Sequence, residues 1–592
     1  MRLPWRVCGL AFVLALLVLA PSATAATNGA CSTPSGGDVR VTCGSPTTPF
    51  PQNKQNEPAV AIDAHAPNIV AAGSNEEIDL QPCPLAVPTN DVRCPFTTGV
   101  GTSGIYFSTD GGQTWTQPTY QGYTARSCTP TSCTPSTGPI GTLPNYDTAG
   151  LVSDGDPTLS FGPKPDATGH FSWSNGSRLY YANLVANFSA TRSEAAFKGF
   201  EAVAVSRTDN VAGAMAGSNS AWSSPVIVTK QNSTLFSDKE QIWADNAASS
   251  PNFGNVYLCN VSFRGQEKGR AAPEPVVFTR STDGGSTWSG PKSLTAAVNN
   301  GSRSGGRQGC TVRTDSKGTV YVFFIGSDVH AAQSAIFMVR SFDGGVTFDR
   351  PQPVAPVSDV GTFDPNQGDF TIDGIAGVRT SSFPSVDLAN GSPSGGDATD
   401  ELVLSWPDTA GILGQYSTNG GNSWSTPTNL AESGDHVTDD SAVAISPDGS
   451  VVYVTYDAYA QPWQTTTASP RLEQGVVRDG SATLTGFVTL HRGTQGDARG
   501  SSTNGIGAEF LGDYNYTAAQ RIVNIGAAPT EFAVAVWNDS RNATDCPAID
   551  TYRENLFLFL TGAASSPPAK PYPGDCPAGF GNSDIYGGQF TP

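Results

Sequence analysis

Charge is scarce in this chain, and positive charge scarcer still. Only 14% of its 592 residues are Asp, Glu, Lys or Arg, and 33 Lys and Arg face 52 Asp and Glu, for a formal net charge of −19. No stretch clusters basic residues, which argues against nucleic acid as a partner, because binding phosphates depends on grouped Lys and Arg. Histidine is rare as well: the five, His65, His170, His330, His436 and His491, are scattered without metal spacing. There is no CxxC pair to suggest zinc, and no GxSxG elbow, Walker loop or HExxH. After the first residues no apolar run approaches the ~20 residues that a membrane-crossing helix needs, so no membrane span is expected.

What the chain has in quantity is turn formers, 65 Gly and 44 Pro. Arg2 and Arg6, an apolar run from Val7 to Ala20 and the small-residue stretch Ala23-Thr24-Ala25 read as a secretory leader covering residues 1–25. A secreted, extracellular protein follows from that reading. Of eleven cysteines Cys8 lies in the leader, and the other ten form the even set expected in an oxidising compartment. Local pairing gives Cys31–Cys43, Cys83–Cys94, Cys128–Cys133, Cys259–Cys310 and Cys546–Cys576, with other connectivities open.

Four segments repeat one pattern: Ser108–Trp115 (STDGGQTW), Ser281–Trp288 (STDGGSTW), Ser341–Phe348 (SFDGGVTF) and Ser417–Trp424 (STNGGNSW). Two glycines suit a tight turn with positive φ, and the Asp or Asn can accept backbone N–H groups across it. The repeat resembles the Asp-box, or bacterial neuraminidase repeat, of sialidases and sialidase-like β-propellers. In that family the box marks the turn between the third and fourth strands of a blade, away from the active site, so the resemblance implies a fold before it implies an activity.

A second pattern, a polar or acidic residue leading into an alternating apolar strand and then a turn and another strand, occurs seven times, starting at Glu57, Asp156, Glu240, Gln308, Phe383, Asp440 and Asp513. Period-two alternation throughout predicts an all-β chain: a sialidase-like propeller of four-stranded antiparallel blades, seven by repeat count, with six as the alternative. The expected organisation is a leader over 1–25, an N-terminal appendage over 26–56, the propeller over 57–562 and a Cys/Pro/Gly-rich tail over 563–592.

Innermost strands of a propeller line its central channel, so their first residues meet at one mouth. Five of the seven here are carboxylates. Converging carboxylates hydrogen-bond in a wet channel, act as acids or bases, or hold a structural Ca²⁺, since hard oxygen ligands suit that ion. Beyond that Ca²⁺ no cofactor is expected. Asp156, Asp440, Glu240 and Asp513 are the candidate catalytic carboxylates. The sialidase resemblance implies in addition a clamp of three arginines on a substrate carboxylate, an Asp acid/base and a Glu-activated Tyr nucleophile. Tyr514 is the tyrosine best placed for the last role, and Arg307, Arg379 and Arg541, with Glu57, are the substrate-binding candidates. Where the family carries its first clamp arginine, within Phe-Arg-Ile-Pro, this chain reads Asn56-Glu57-Pro58-Ala59-Val60. Three functions therefore stand side by side: a monomeric, secreted sialidase-like glycoside hydrolase acting on terminal, acidic or neutral, sugars of glycans or glycoproteins, a non-catalytic propeller that binds glycan or protein through its loop face, and a surface or matrix scaffold.

Overall fold

The computed structural model describes residues 30–31, 37–83, 94, 96–188, 195–229, 235–265, 271–295, 305–328, 331, 333–460, 467, 469–522 and 529–592. The leader lies outside this set, as does the Cys31 side chain of the expected Cys31–Cys43 pair. The other four expected disulfides are present: Cys83–Cys94, Cys128–Cys133, Cys259–Cys310 and Cys546–Cys576.

Seven antiparallel sheets of four main strands each, successive along the chain in all but the last, form a seven-bladed β-propeller. The innermost strands are Gln55–Ile62, Thr158–Pro165, Leu235–Ala244, Gly305–Thr314, Ser385–Leu388, Val437–Ile445 and Tyr516–Ile522. Every expected strand start lies within or just before one of them. The core is divided as the fold requires, with an apolar cluster between each pair of adjacent blades. Leu159, Phe161 and Tyr181 of the second blade pack with Ala71, Ile105 and Phe107 of the first, for example, and Val534 and Val536 of the seventh with Val60, Val70 and Trp115 of the first.

The expected appendages prove to be parts of the ring. Asp584–Phe590, in the supposed tail, is the third strand of the seventh blade, and Val39–Arg40, from the supposed N-terminal appendage, is its fourth. Joining the two chain ends in one sheet closes the ring and leaves the seventh blade complete, which decides for seven blades over six. A helix, Pro547–Leu560, sits between the second and third strands of that blade. Its inner face packs Ile549, Tyr552 and Leu556 against Phe50, Ile506 and Phe580, and Arg553, fully buried, donates to the carbonyls of Ser501 and Ala508; the run Leu556 to Leu560, apolar on every face, hides that helical period in the sequence.

The four repeated turns join third to fourth strands. In the second of them Asp283 Oδ1 accepts from the Ser286 and Thr287 N–H groups at 3.0 and 2.9 Å, while Thr287 Oγ1 donates to Oδ2 at 2.6 Å. Ser281 Oγ accepts from Gly285 N at 2.8 Å, and both Gly284 and Gly285 have positive φ, 70° and 79°. Three of the four turns are also fastened to the preceding blade by an arginine: Arg178, Arg280 and Arg340 donate to the carbonyls of Gly284, Gly344 and Gly420 at 2.8, 2.6 and 2.9 Å. Since innermost strands run away from the mouth where they begin, the alternating strand directions put these turns on the opposite face.

Candidate active site

Innermost strands do not enter the mouth smoothly. In four blades the pairing of first and second strands slips by a bulge, at Asn56/Ala59, Asp238/Gln241, Gln308/Thr311 and Asp439/Ala442. The residues there take positive φ: Glu57 (57°), Lys239 (55°), Gly309 (66°) and Asp440 (51°), with Asp156 (48°) and Gly512 (100°) at the corresponding entries of blades two and seven. Non-glycine residues in this region are strained by roughly 1–3 kcal/mol each and gather where function holds them. The strain turns their side chains across the channel towards one another.

The bulges also shift the register that the sequence pattern suggested. In the third blade the inward residue is Lys239, one place before Glu240, and a one-residue slip sends a side chain to the other side of the strand. Glu240 lies below the floor, buried, with neither carboxyl oxygen hydrogen-bonded. In the fourth blade the bulge residue is Gly309 instead of Gln308.

Above the floor opens a cleft of about 700 Å³. Lys239 sits at its centre. Its Nζ lies 2.6 Å from Asp513 Oδ2 and 3.5 Å from Asp156 Oδ2, which puts those two oxygens no more than about 6 Å apart. Arg379 Nη2 reaches Asp513 Oδ1 at 3.0 Å and Glu57 Oε1 at 4.0 Å. Asn75 organises the first two blades at the mouth, donating to Asn56 Oδ1 and Glu57 Oε2 at 2.8 and 2.6 Å and accepting from the Asp156 N–H at 2.8 Å. Nearby, Lys54 pairs with Glu77 at 2.7 Å. Phe96, Phe236, Phe263, Phe370 and Phe510 supply apolar wall.

These contacts divide the carboxyls into two states. Burial first, and then the charge of Asp156, push Glu57 well above the usual carboxylate range. Burial likewise raises Asp238, to about 7, with Lys239 opposing and Asp156 reinforcing, and burial beside Asp156 raises Asp154 to about 6. Asp156 goes the other way: burial works to raise it, but Lys239 and hydrogen bonds from Glu57 and Asp238 hold it below its ordinary value. Asp513 is held low against burial by Arg379 and Lys239. Near neutral pH an ionised Asp156 therefore sits between proton-bearing Glu57 and Asp238, facing an ionised Asp513.

Of the sequence-derived candidates the structure brings together Glu57, Asp156, Arg379 and Asp513. Asp440 lies beside them, buried, pushed well up by burial and by Asp439 and Asp513. Tyr514 is also close, with Lys239 Nζ 5.7 Å from its ring centre. Burial and the surrounding carboxylates raise its phenol well above 10, the reverse of what a phenolate nucleophile needs. Arg541 is committed elsewhere, 2.7 Å from both Asp38 and Asp539, and the Arg307 side chain lies outside the described residues. Among the described residues Arg379 is the single arginine lining the cleft, so no three-arginine clamp is assembled from them. Nor do any three His, Cys, Asp or Glu among them stand where they could hold a metal ion, which leaves the Ca²⁺ expectation without a site there.

Asp238, Asn75, Glu201 and Asp154 are among the cleft residues that the strand pattern did not select, whereas Lys239 stands directly before the third expected entry. Asp154 and Asp238 stand two places before Asp156 and Glu240, so the approach to each entry carried a signal. Asn75 ends a second strand, and nothing in its local sequence marks it.

The repeated turns and the closed seven-bladed ring make this a sialidase-like propeller in fold. No known family profile matches the sequence, and no curated protein does. Solved structures similar to it include a Hadza microbial sialidase (14% identity, 68% of this chain and 63% of that one, TM-score 0.37). Others are the α-L-arabinofuranosidase Arb93A of Fusarium graminearum (12%, 71% and 92%, TM-score 0.38) and an ulvan lyase of a new polysaccharide lyase family (10%, 82% and 92%, TM-score 0.37). The chain thus spans less than two thirds of the sialidase. Likeness at this level carries nothing about chemistry, and the functional argument stays with the residues of the cleft.

Proposed function

We propose that this protein is a secreted glycoside hydrolase that cleaves glycosidic bonds by carboxyl acid–base chemistry in the cleft over the channel mouth. One observation carries the reading: proton-bearing and ionised carboxyls are held apart in state and close in space on the floor of a sugar-sized cleft. Asp238, which keeps its proton up to about pH 7 and lines the cleft, serves as proton donor to the leaving oxygen. Asp156, ionised, accepts hydrogen bonds from Asp238 and Glu57; as the glycosidic C–O bond breaks the Asp238 proton passes to the leaving oxygen, and the water that then adds to the anomeric carbon gives its proton back to Asp238. Asp513, held across Lys239 from Asp156, supplies the ionised carboxylate facing the anomeric carbon. Lys239 and Arg379 keep it ionised.

Charge favours a neutral sugar over an acidic one. Nine carboxyls line the cleft against Lys54, Lys239 and Arg379; Lys54 is paired with Glu77, and Asp513 takes up the other two cations. A substrate carboxylate has no unengaged cation among these to meet it, and its burial unpaired costs several kcal/mol. The four disulfides support an oxidising, extracellular setting.

The test is turnover of fluorogenic aryl glycosides, neutral pyranosides and furanosides beside a sialoside. A neutral member is expected to be cleaved, with Asp156→Asn and Asp513→Asn each lowering kcat by about 10²-fold or more. The alternative, a non-catalytic propeller that binds glycan through this face, is favoured by the occupation of both Asp513 oxygens. Absence of turnover across the panel and on neutral polysaccharides, with binding on a glycan array, establishes it instead.

A further inference from the structure

We propose that the hairpin at the cleft edge is an aromatic shelf that holds the sugar units beyond the bond being cleaved, so that the substrate is an extended neutral glycan chain and not a small terminal glycoside. This rests on the hydrolase reading above and adds the length of the substrate to it.

The hairpin pairs Thr362–Asp364 with Asp369–Thr371 in an insertion between the fourth and fifth blades, on the face where the channel mouth opens. Phe363 and Phe370 are cross-strand partners, their ring centres 6.5 Å apart and nearly perpendicular. Both stand in water, 57% and 39% exposed. Phe370 and its neighbour Asp369 line the cleft, and Phe363 continues the apolar surface outward. Phe96, on another loop at the cleft, is 56% exposed.

The fold gains little from these rings, yet it fixes the backbone beneath them firmly. Asp364 Oδ2 accepts the Ala376 N–H at 2.7 Å. Asn366 Nδ2 donates to the carbonyls of Gly507 and Arg553 at 3.1 and 3.0 Å. Arg471, buried, bridges Asp373 of the insertion to Glu509. Val360, Ile372 and Val378 pack against Val437, Tyr459 and Leu511. The same insertion carries Arg379 to the floor, with the Thr380 N–H donating to the Phe370 carbonyl at 3.1 Å. Shelf and floor therefore move as one body. A rigid, paired, exposed aromatic surface continuous with a cleft suits a ligand that is flat and apolar on one side and hydroxylated at its edge, and the C–H face of a sugar ring has that character. The anionic neighbour Asp369 favours a neutral chain over an acidic one.

The decisive quantity is the ratio of kcat/KM on a neutral polysaccharide (arabinan, galactan, xylan or mannan, whichever is cleaved) to kcat/KM on the matching aryl glycoside. Phe363→Ala and Phe370→Ala are each expected to lower that ratio about fivefold, and Phe370→Tyr, which keeps the ring, to preserve it. An unchanged ratio in the double alanine variant, with the wild-type melting temperature retained, overturns the shelf while leaving the hydrolase reading standing. If neither an aryl glycoside nor any of the four polysaccharides is cleaved, the hydrolase reading fails separately, and affinity electrophoresis through the same four polysaccharides tests the shelf; if only a polysaccharide is cleaved, kcat/KM on it relative to wild type replaces the ratio. Retardation of the wild type that is lost in the double variant supports it, and no retardation in any gel overturns it.

Discussion

Replacing Lys239 with methionine tests the electrostatic argument most directly. The side chain is only 10% exposed and neutralises two carboxylates that are 7% and 13% exposed. Removing one partner of a buried ion pair costs about 3–5 kcal/mol, because the other charge is left behind. Arg379 remains on Asp513, and Glu57 and Asp238 still donate to Asp156, so the loss belongs at the lower end, about 3 kcal/mol. With an unfolding entropy near 2.1 cal/mol/K per residue over a ring of roughly 500 residues, that is a fall in Tm of ~3 °C at pH 7.5. The pH dependence gives the sharper signature. Asp156 and Asp513 have depressed pKa values in the folded protein, so the stability they contribute is present above the unfolded carboxylate pKa of about 4 and is lost as pH falls through the depressed values. Lys239, raised in the fold, contributes fully below about 10.5 and loses its contribution above. The deficit of K239M should therefore be full from about pH 5 to 10, still largely present at about pH 4, and shrink as pH falls below the unfolded carboxylate value toward about pH 2.5. Differential scanning fluorimetry at pH 7.5 and about pH 2.5 reads this, and K239M/D513N should recover part of the loss. An equal deficit at both pH values, or none at pH 7.5, refutes the ion cluster.

The proton-donor role of Asp238 fixes the alkaline limb of activity: kcat/KM on the best aryl glycoside should fall about tenfold per unit as pH rises beyond the value near 7 to which burial pushes this carboxyl, and a profile flat from pH 5 to 9 contradicts the assignment. In the second repeated turn Asp283→Ala removes the acceptor of Ser286 N, Thr287 N and Thr287 Oγ1 and should cost about 1–2 kcal/mol at pH 7. Since these hydrogen bonds hold Asp283 low against burial, the cost should fade as pH drops below about 4. Melting curves at pH 7 and 3.5 measure both numbers.

Much of the ring was legible because it repeats. Alternation of period two set the innermost strands, and the Ser-x-Asp-Gly-Gly pattern marked turns whose hydrogen bonds close within eight residues. The C-terminal strand Asp584–Phe590 escaped notice because Asp-Ile-Tyr-Gly-Gly-Gln-Phe is weakly patterned and is held by pairing with residues far along the chain. The helix Pro547–Leu560 escaped for a related reason, since its short stripe of Ile549, Tyr552 and Leu556 runs into residues 556–560, which are apolar on every face, and is interrupted by the buried Arg553. At the mouth, Glu57, Asp156 and Asp513 were visible as strand entries. Lys239 took the place given to Glu240 because a bulge adds a residue that no local pattern counts.

By itself, then, the sequence determined the class of fold, the seven strand entries and the four turns, since each is set by interactions among neighbours in the chain. Only the tertiary structure decided which entry side chains meet, which of them keep a proton, that the two ends of the chain share the seventh blade, and that Arg379 and the phenylalanine hairpin belong to the same cleft. Those outcomes depend on bulge register, on burial and on charges brought together from blades hundreds of residues apart, and a pKa set by desolvation and by a distant lysine has no signature in the residues beside it.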